Sequence, residues 1–160
     1  MKPKVYLETT IPSLLVARPS RLLRVASDQQ VTLEWWDTRR DKFQLFVSEL
    51  VLEEAAKGDH AFAAQRLTAI AECPVLEATD AARSLTLELL GSGLIPTKAA
   101  ADAAHIAVAA VHGMDFLLTW NCRHIANAMT VDRVRGLCDS RGFPAPVICT
   151  PYELMLPLTL

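Results

Sequence analysis

The sequence is poor in the features that usually announce an activity. It has six glycines in 160 residues, and none falls in the spacing of a P-loop or a dinucleotide-binding turn. Those turns need glycine so that backbone N–H groups can close on a phosphate, so nucleotide hydrolases and dehydrogenases are argued against. Its four cysteines, Cys73, Cys122, Cys138 and Cys149, show no CxxC spacing. They suggest neither a disulfide framework nor a zinc site, and read as reduced, mostly buried thiols of a cytoplasmic protein. No uncharged apolar run approaches the roughly 20 residues that span a bilayer. Lys2-Pro3-Lys4 leads straight into a strand without a signal-peptide hydrophobic region, so no membrane contact is expected. Nor is one sign of charge in clear excess. A formal net charge of -2 gives no whole-protein attraction to nucleic acid, and any such binding has to come from a local patch.

What is present is a globular composition, 51% hydrophobic and 21% charged, in a length suited to a single domain spanning residues 1–160. Short apolar runs predict strands at Lys4–Leu7, Phe43–Val47, Pro74–Leu76, Phe116–Trp120 and Pro146–Cys149. Between them the pattern predicts helices at Ser27–Arg40, Val51–Gly58, His60–Ala71, Thr79–Leu90, Lys98–Gly113 and Val131–Ser140. Ser48, Thr79 or Asp80, and Thr97 are the expected N-caps, and Gly58 and Gly113 the stops. Strands alternating with helices predict an α/β fold, a mostly parallel sheet flanked by helices.

The chain is organised around KAAADAAHIAVAAVHGMDFLLTWNCRHIAN, Lys98 to Asn127. Asp102 is in line with Ile106 and Ala109, so a carboxylate stands in an apolar helical stripe. Either it meets a cation, donor or metal there, or it complements the dipole of the first turn. Three other oxygen-bearing side chains follow strands in the same way. Glu8 ends the first strand, Glu54 shares the presumed inner face of Leu50 and Val51 while Glu49 and Glu53 look outward, and Asn121 is the first polar residue after Trp120. Right-handed crossovers would bring all four to one edge of the sheet. Carboxylates and an amide, with no His/Cys set beside them, suit a hard cation such as magnesium or manganese, and such an ion can serve phosphodiester hydrolysis.

Taken together, YLETTIPS around Glu8, VSELVLEEAAKGD around Glu54, KAAADAAHIAVAA around Asp102, FLLTWNCRHIANA around Asn121 and the closing VICTPYELM resemble the PIN domain family. Within that family the chain is most similar to the VapC-type toxins of bacterial toxin–antitoxin pairs. The resemblance covers essentially the whole chain. It implies a three-layer α/β/α sandwich and a magnesium- or manganese-dependent endoribonuclease with Glu8, Glu54, Asp102 and Asn121 as catalytic residues. Glu8, Asp102 and Asn121 would ligate the metal. It also implies RNA as substrate, an antitoxin protein that blocks the site, and a homodimer, for which the helix near Trp35 offers an apolar surface. Two positions depart from the family pattern: Glu8 stands where an aspartate is usual, and Asn121 where many members carry a fourth acid. A PIN-like module that has lost its chemistry and binds only RNA or a protein is therefore the competing expectation.

Around the four, Thr9, Thr10, Ser48 and Thr119 are expected to orient the carboxylates, although capping alone would explain Ser48. Arg123 and His124 could hold a substrate phosphate or simply face solvent. His105, one turn on from Asp102, either hydrogen-bonds it or is structural, and His112 reads as a helix-end residue. Trp35 and Trp36 read as core and rim packing, and Arg18, Arg21 and Arg24 as a solvated helix face.

Overall fold

The computed structural model describes residues 1–155, so the last residues of the domain expected over 1–160 lie outside the described ones. Five strands, β1 (Lys4–Leu7), β2 (Gln44–Ser48), β3 (Val75–Leu76), β4 (Phe116–Leu118) and β5 (Val147–Cys149), form one sheet in the order β3-β2-β1-β4-β5. Every described pairing is parallel. The helices are α1 (Thr10–Val16), α2 (Leu23–Thr38), α3 (Glu49–Ala55), α4 (His60–Ala69), α5 (Asp80–Gly91), α6 (Ala100–Val111) and α7 (Val131–Ser140).

Parallel neighbours require crossovers, and strand twist makes these right-handed. From β1 the chain steps to β2 and β3 on one side, then returns across β1 to β4 and β5 on the other. The reversal puts α1–α4 on one face and α5–α7 on the opposite face. Helix packing agrees, with α1 against α2 and α4, α3 against α4, and α5 against α6 and α7. This is the parallel sheet flanked by helices predicted from the alternation, in the three-layer α/β/α form that the family resemblance implies.

The middle strand carries the core. Val5, Tyr6 and Leu7 of β1 are all fully buried, a continuous run, as expected where helices cover both faces of a parallel sheet. Helix α6 is apolar on nearly every side and buried from His105 to Ala110, which is why it sits inside. Ile106 is wholly enclosed, and truncating such a side chain to alanine typically costs about 2–5 kcal/mol.

Ser48 caps α3 by accepting from Val51 N, and Thr79 caps α5 by accepting from Ala82 N. Thr97 does not cap α6. Thr97–Ala99 form a 3-10 turn in which Ala99 N–H returns to the Pro96 carbonyl at 2.8 Å, and the α-helix proper starts at Ala100. Gly113, at φ 68, makes the left-handed exit that ends it. Helix α3 stops at Ala55, short of Gly58, and α2 begins at Leu23, ahead of the predicted Ser27. Trp35 is completely buried and Trp36 half-buried, the core and rim roles read from the sequence. Trp35 therefore offers no surface for a second copy. The exposed apolar side chains in this part of the chain are Leu22, Leu23 and Leu33.

All four cysteines are free, with Cys138 and Cys149 buried, Cys73 half-buried and Cys122 exposed. Burial pushes the Cys73 and Cys138 thiols up to about 11 and that of Cys149 to about 12, so they stay protonated and unreactive near neutral pH. No described helix is long and apolar enough to cross a membrane.

Candidate active site

In an open parallel sheet a ligand crevice forms beyond the carboxyl ends of the strands, where the strand order reverses. Here that point lies between β1 and β4. Glu8 leaves β1 there, and Thr119, Trp120 and Asn121 leave β4 beside it. Glu8 is 5% exposed and well supplied with donors. Its Oε1 accepts from Thr10 Oγ1 and Thr119 Oγ1, each at 2.6 Å, and its Oε2 accepts from the Thr10 backbone N–H at 3.1 Å. Thr10 Oγ1 in turn accepts from Trp120 N at 2.9 Å, so the two strand ends are laced together through one carboxylate. A buried charge persists only with partners of this kind.

A second set of bonds ties β1 to α3 and α6. Tyr6 Oη lies 2.8 Å from Ser48 Oγ and 2.6 Å from His105 Nδ1. His105 Nε2 lies 2.6 Å from Glu54 Oε1, and Thr9 Oγ1 donates to the same oxygen at 2.7 Å. Thr9 makes no cap bond to α1. Ser48 touches neither Glu8 nor Glu54 and reaches the latter only through Tyr6 and His105. Burial opposes ionisation of Glu54, but the His105 and Thr9 hydrogen bonds outweigh it and hold the carboxyl below its ordinary value. Burial pushes the Tyr6 phenol well above its ordinary range, so it stays a neutral donor.

Asp102 stands in the first turn of α6, half-buried, and makes no hydrogen bond or ion pair among the described residues. Its only structural contribution is the favourable sign of its charge at a helix start. It lies three residues before His105, so the His105–Glu54 bond brings α3 alongside the turn that carries Asp102. His105, for which the sequence leaves a bond to Asp102 or a structural role open, is buried and bonds Glu54 and Tyr6. Its burial among alanines and Ile106 signals a need for a partner. His112 sits at the end of α6, with Nε2 2.8 Å from the Glu77 carbonyl.

Asn121 behaves differently from the carboxylates. Its Oδ1 accepts from the backbone N–H groups of Arg123 and His124 at 3.2 and 3.0 Å, an Asx turn that shapes the loop after β4. The oxygen assigned to a cation from the sequence is thus engaged within its own loop. Arg123 is exposed and His124 half-buried. Arg123 lines an open cleft of about 570 Å³ with Arg24, Asp28, Trp120, Asn121 and Cys122. The sequence reading treated Arg24 as part of a solvated helix face, and no local signal places it beside a loop nearly a hundred residues later.

Whether these residues suit a divalent cation is a question of chemistry and of spacing. The donors are hard oxygens: among the described residues both Asp102 oxygens and Glu54 Oε2 carry no hydrogen bond, and Glu8 Oε2 carries one. That is the ligand type magnesium and manganese take, with water completing the shell. Among the described residues, no three His, Cys, Asp or Glu side chains stand close enough together to hold an ion as they are. The set fits a hard cation in the kind of donor it offers, and among the described residues it does not form a cluster of three.

No protein-family model matches the chain, and no curated protein matches it by sequence. Among solved structures it is similar to a chain of the crystal structure of VapBC2 from Rickettsia felis bound to a DNA fragment from their promoter. The TM-score is 0.51 at 13% identity, and the match covers 92% of this chain and 98% of that one. The fold is PIN-like. At this identity the likeness speaks for the fold, and the argument for chemistry rests on the side chains.

Proposed function

We propose that this protein is a metal-dependent endoribonuclease, the toxin of a toxin–antitoxin pair, hydrolysing RNA phosphodiester bonds with magnesium or manganese. The observation that supports the reading is the Glu8 carboxylate held at the strand-order reversal of a PIN-like sheet, with Glu54 bonded through His105 to the helix whose first turn carries Asp102. Glu8, Glu54 and Asp102 would hold the cation. Glu54, whose Oε2 is bonded by no group among the described residues, is proposed as a ligand where the sequence points to Asn121. Asn121 keeps a catalytic part by fixing the loop that carries Arg123 and His124.

A divalent cation bound there supplies charge neutralisation at the phosphodiester and acidifies a water. The rest is done by the chain itself. Glu54 is ionised at neutral pH, so it can accept a hydrogen bond from the attacking water and orient it. Thr10 and Thr119 keep Glu8 from turning away. Arg123 and Arg24 hold the flanking RNA phosphates in the cleft, with His124 beside them, and so provide the local positive patch that a net charge of -2 requires.

The partner in this reading is a small antitoxin that covers the acidic crevice. The solved neighbour, described as VapBC2 with promoter DNA, supports a partnership of that kind. A cytoplasmic homodimer completes the proposal, with Leu22, Leu23 and Leu33 as the apolar surface. The test is incubation of purified protein with RNA, with and without magnesium or manganese; cleavage only with metal supports the reading. The engaged amide of Asn121 and the ungathered carboxylates favour one alternative, a PIN-like module that binds RNA or a protein without cutting. Retention of RNA without cleavage at any metal concentration would establish that alternative.

A further inference from the structure

Glu54 is gripped by one oxygen only. Oε1 receives both Thr9 and His105, and no described group bonds Oε2. Behind His105 a line of hydrogen bonds runs through the core. Val51 N–H bonds Ser48 Oγ, Ser48 meets Tyr6 Oη, and Tyr6 meets His105 Nδ1. One direction of donation satisfies every member. Val51 occupies a Ser48 lone pair, the Ser48 proton goes to Tyr6, and the Tyr6 proton goes to Nδ1. The ring proton then sits on Nε2, facing Glu54. The reverse direction strands the Ser48 proton in a residue 2% exposed. Tyr6 and His105 are themselves 0% and 1% exposed, so this order cannot be exchanged for water.

We propose that His105 is a positioning residue for Glu54: it pins one carboxylate oxygen so that the other stays turned to the cation, while Tyr6 and Ser48 fix which imidazole nitrogen carries the proton. The proposal rests on the nuclease reading above. It differs from a core histidine merely satisfied by Glu54, for which loss of the bond would lower stability and leave metal affinity alone.

The experiment compares the wild type with His105→Leu, His105→Gln and Thr9→Val. Thr9→Val removes the other donor to Oε1 from a half-buried position without entering the core. Manganese affinity is measured by titration calorimetry, RNA cleavage is split into kcat and KM, and thermal unfolding reports the fold. Expected for His105→Leu is a loss of about 10- to 100-fold in manganese affinity and in kcat, with KM little changed. His105→Gln, which keeps an N–H, recovers part of it, and Thr9→Val loses less in the same direction. Wild-type manganese affinity and kcat in folded His105→Leu overturn the proposal. Should that variant not fold, wild-type values in both His105→Gln and Thr9→Val overturn it equally. If the wild type binds manganese but cuts no RNA, the ribonuclease reading fails, while weaker manganese binding by the variants still upholds the positioning role. A wild type that neither binds manganese nor cuts RNA overturns both.

Discussion

Glu8 Oε1 and Thr119 Oγ1 meet at 2.6 Å across the point where the strand order reverses, joining the end of β1 to the end of β4 through buried side chains. This bond makes Glu8 at once a structural and a candidate catalytic residue, and the two roles can be separated. Thr119→Val keeps the shape and removes the donor. We expect it to lower stability by about 1–3 kcal/mol, the cost of leaving a buried acceptor short of a partner. Urea unfolding reads this directly. An unchanged midpoint would mean that Thr10 alone holds the carboxylate.

The acid sensitivity of the metal-free protein should carry the signature of Glu54. Its folded pKa is depressed, so its contribution to stability is complete above the ordinary carboxylate value of 4.5 and is lost as pH falls through the lower folded value. Glu54→Gln keeps an oxygen for Thr9 and His105 but does not titrate. Its thermal midpoint is expected to fall less steeply than that of the wild type below that pH. Parallel profiles would contradict the assigned bonds.

The loop after β4 gives a third test. Asn121→Asp preserves an oxygen for the Arg123 and His124 N–H groups and adds a charge near the proposed cation. It should keep wild-type stability and bind manganese more tightly. Asn121→Leu loses both backbone bonds and should raise KM for RNA by loosening Arg123. Equal kinetics in Asn121→Leu and wild type would remove the loop from the mechanism.

If Arg24 and Arg123 hold phosphates, their joint replacement by alanine raises KM and leaves kcat nearly unchanged. Each phosphate contact on a single strand contributes about 0.7 to the salt dependence, so the logarithmic slope should become shallower by about 1.4. Filter binding at several salt concentrations with manganese omitted measures it. An unaltered slope places the RNA elsewhere.

Much of this architecture is legible in the residues. Ser48 followed by an apolar helix announces a cap and is one, Val131–Ser140 is a helix with the predicted bounds, and the strand–helix alternation dictates a parallel sheet. The side-chain partnerships are not local and are read less well. His105 and Glu54 are separated by 51 residues, and nothing in either motif says that the imidazole turns from Asp102 toward α3. Asn121 looks like a ligand because it follows a strand; that its oxygen closes on the next residues depends on the turn the loop takes. Thr97 has the right chemistry for a cap, but Pro96 starts a 3-10 turn and moves the helix start past it. Trp35 sits on a helix of mixed polarity whose inner side shows only once the sheet is in place.

Asp102 carries the central claim, because it has no structural partner among the described residues and so no structural reason to be an acid beyond its place in a first helical turn. The decisive measurement is RNA cleavage and thermal unfolding of wild type and Asp102→Asn, each with and without manganese. The account predicts metal-dependent cleavage and a manganese-induced rise in unfolding temperature for the wild type, with both lost in Asp102→Asn. The metal-free stability of the two should agree within the roughly 0.3–1 kcal/mol of a helix-dipole charge. A wild type indifferent to manganese, beside an Asp102→Asn protein that unfolds clearly earlier, would contradict it.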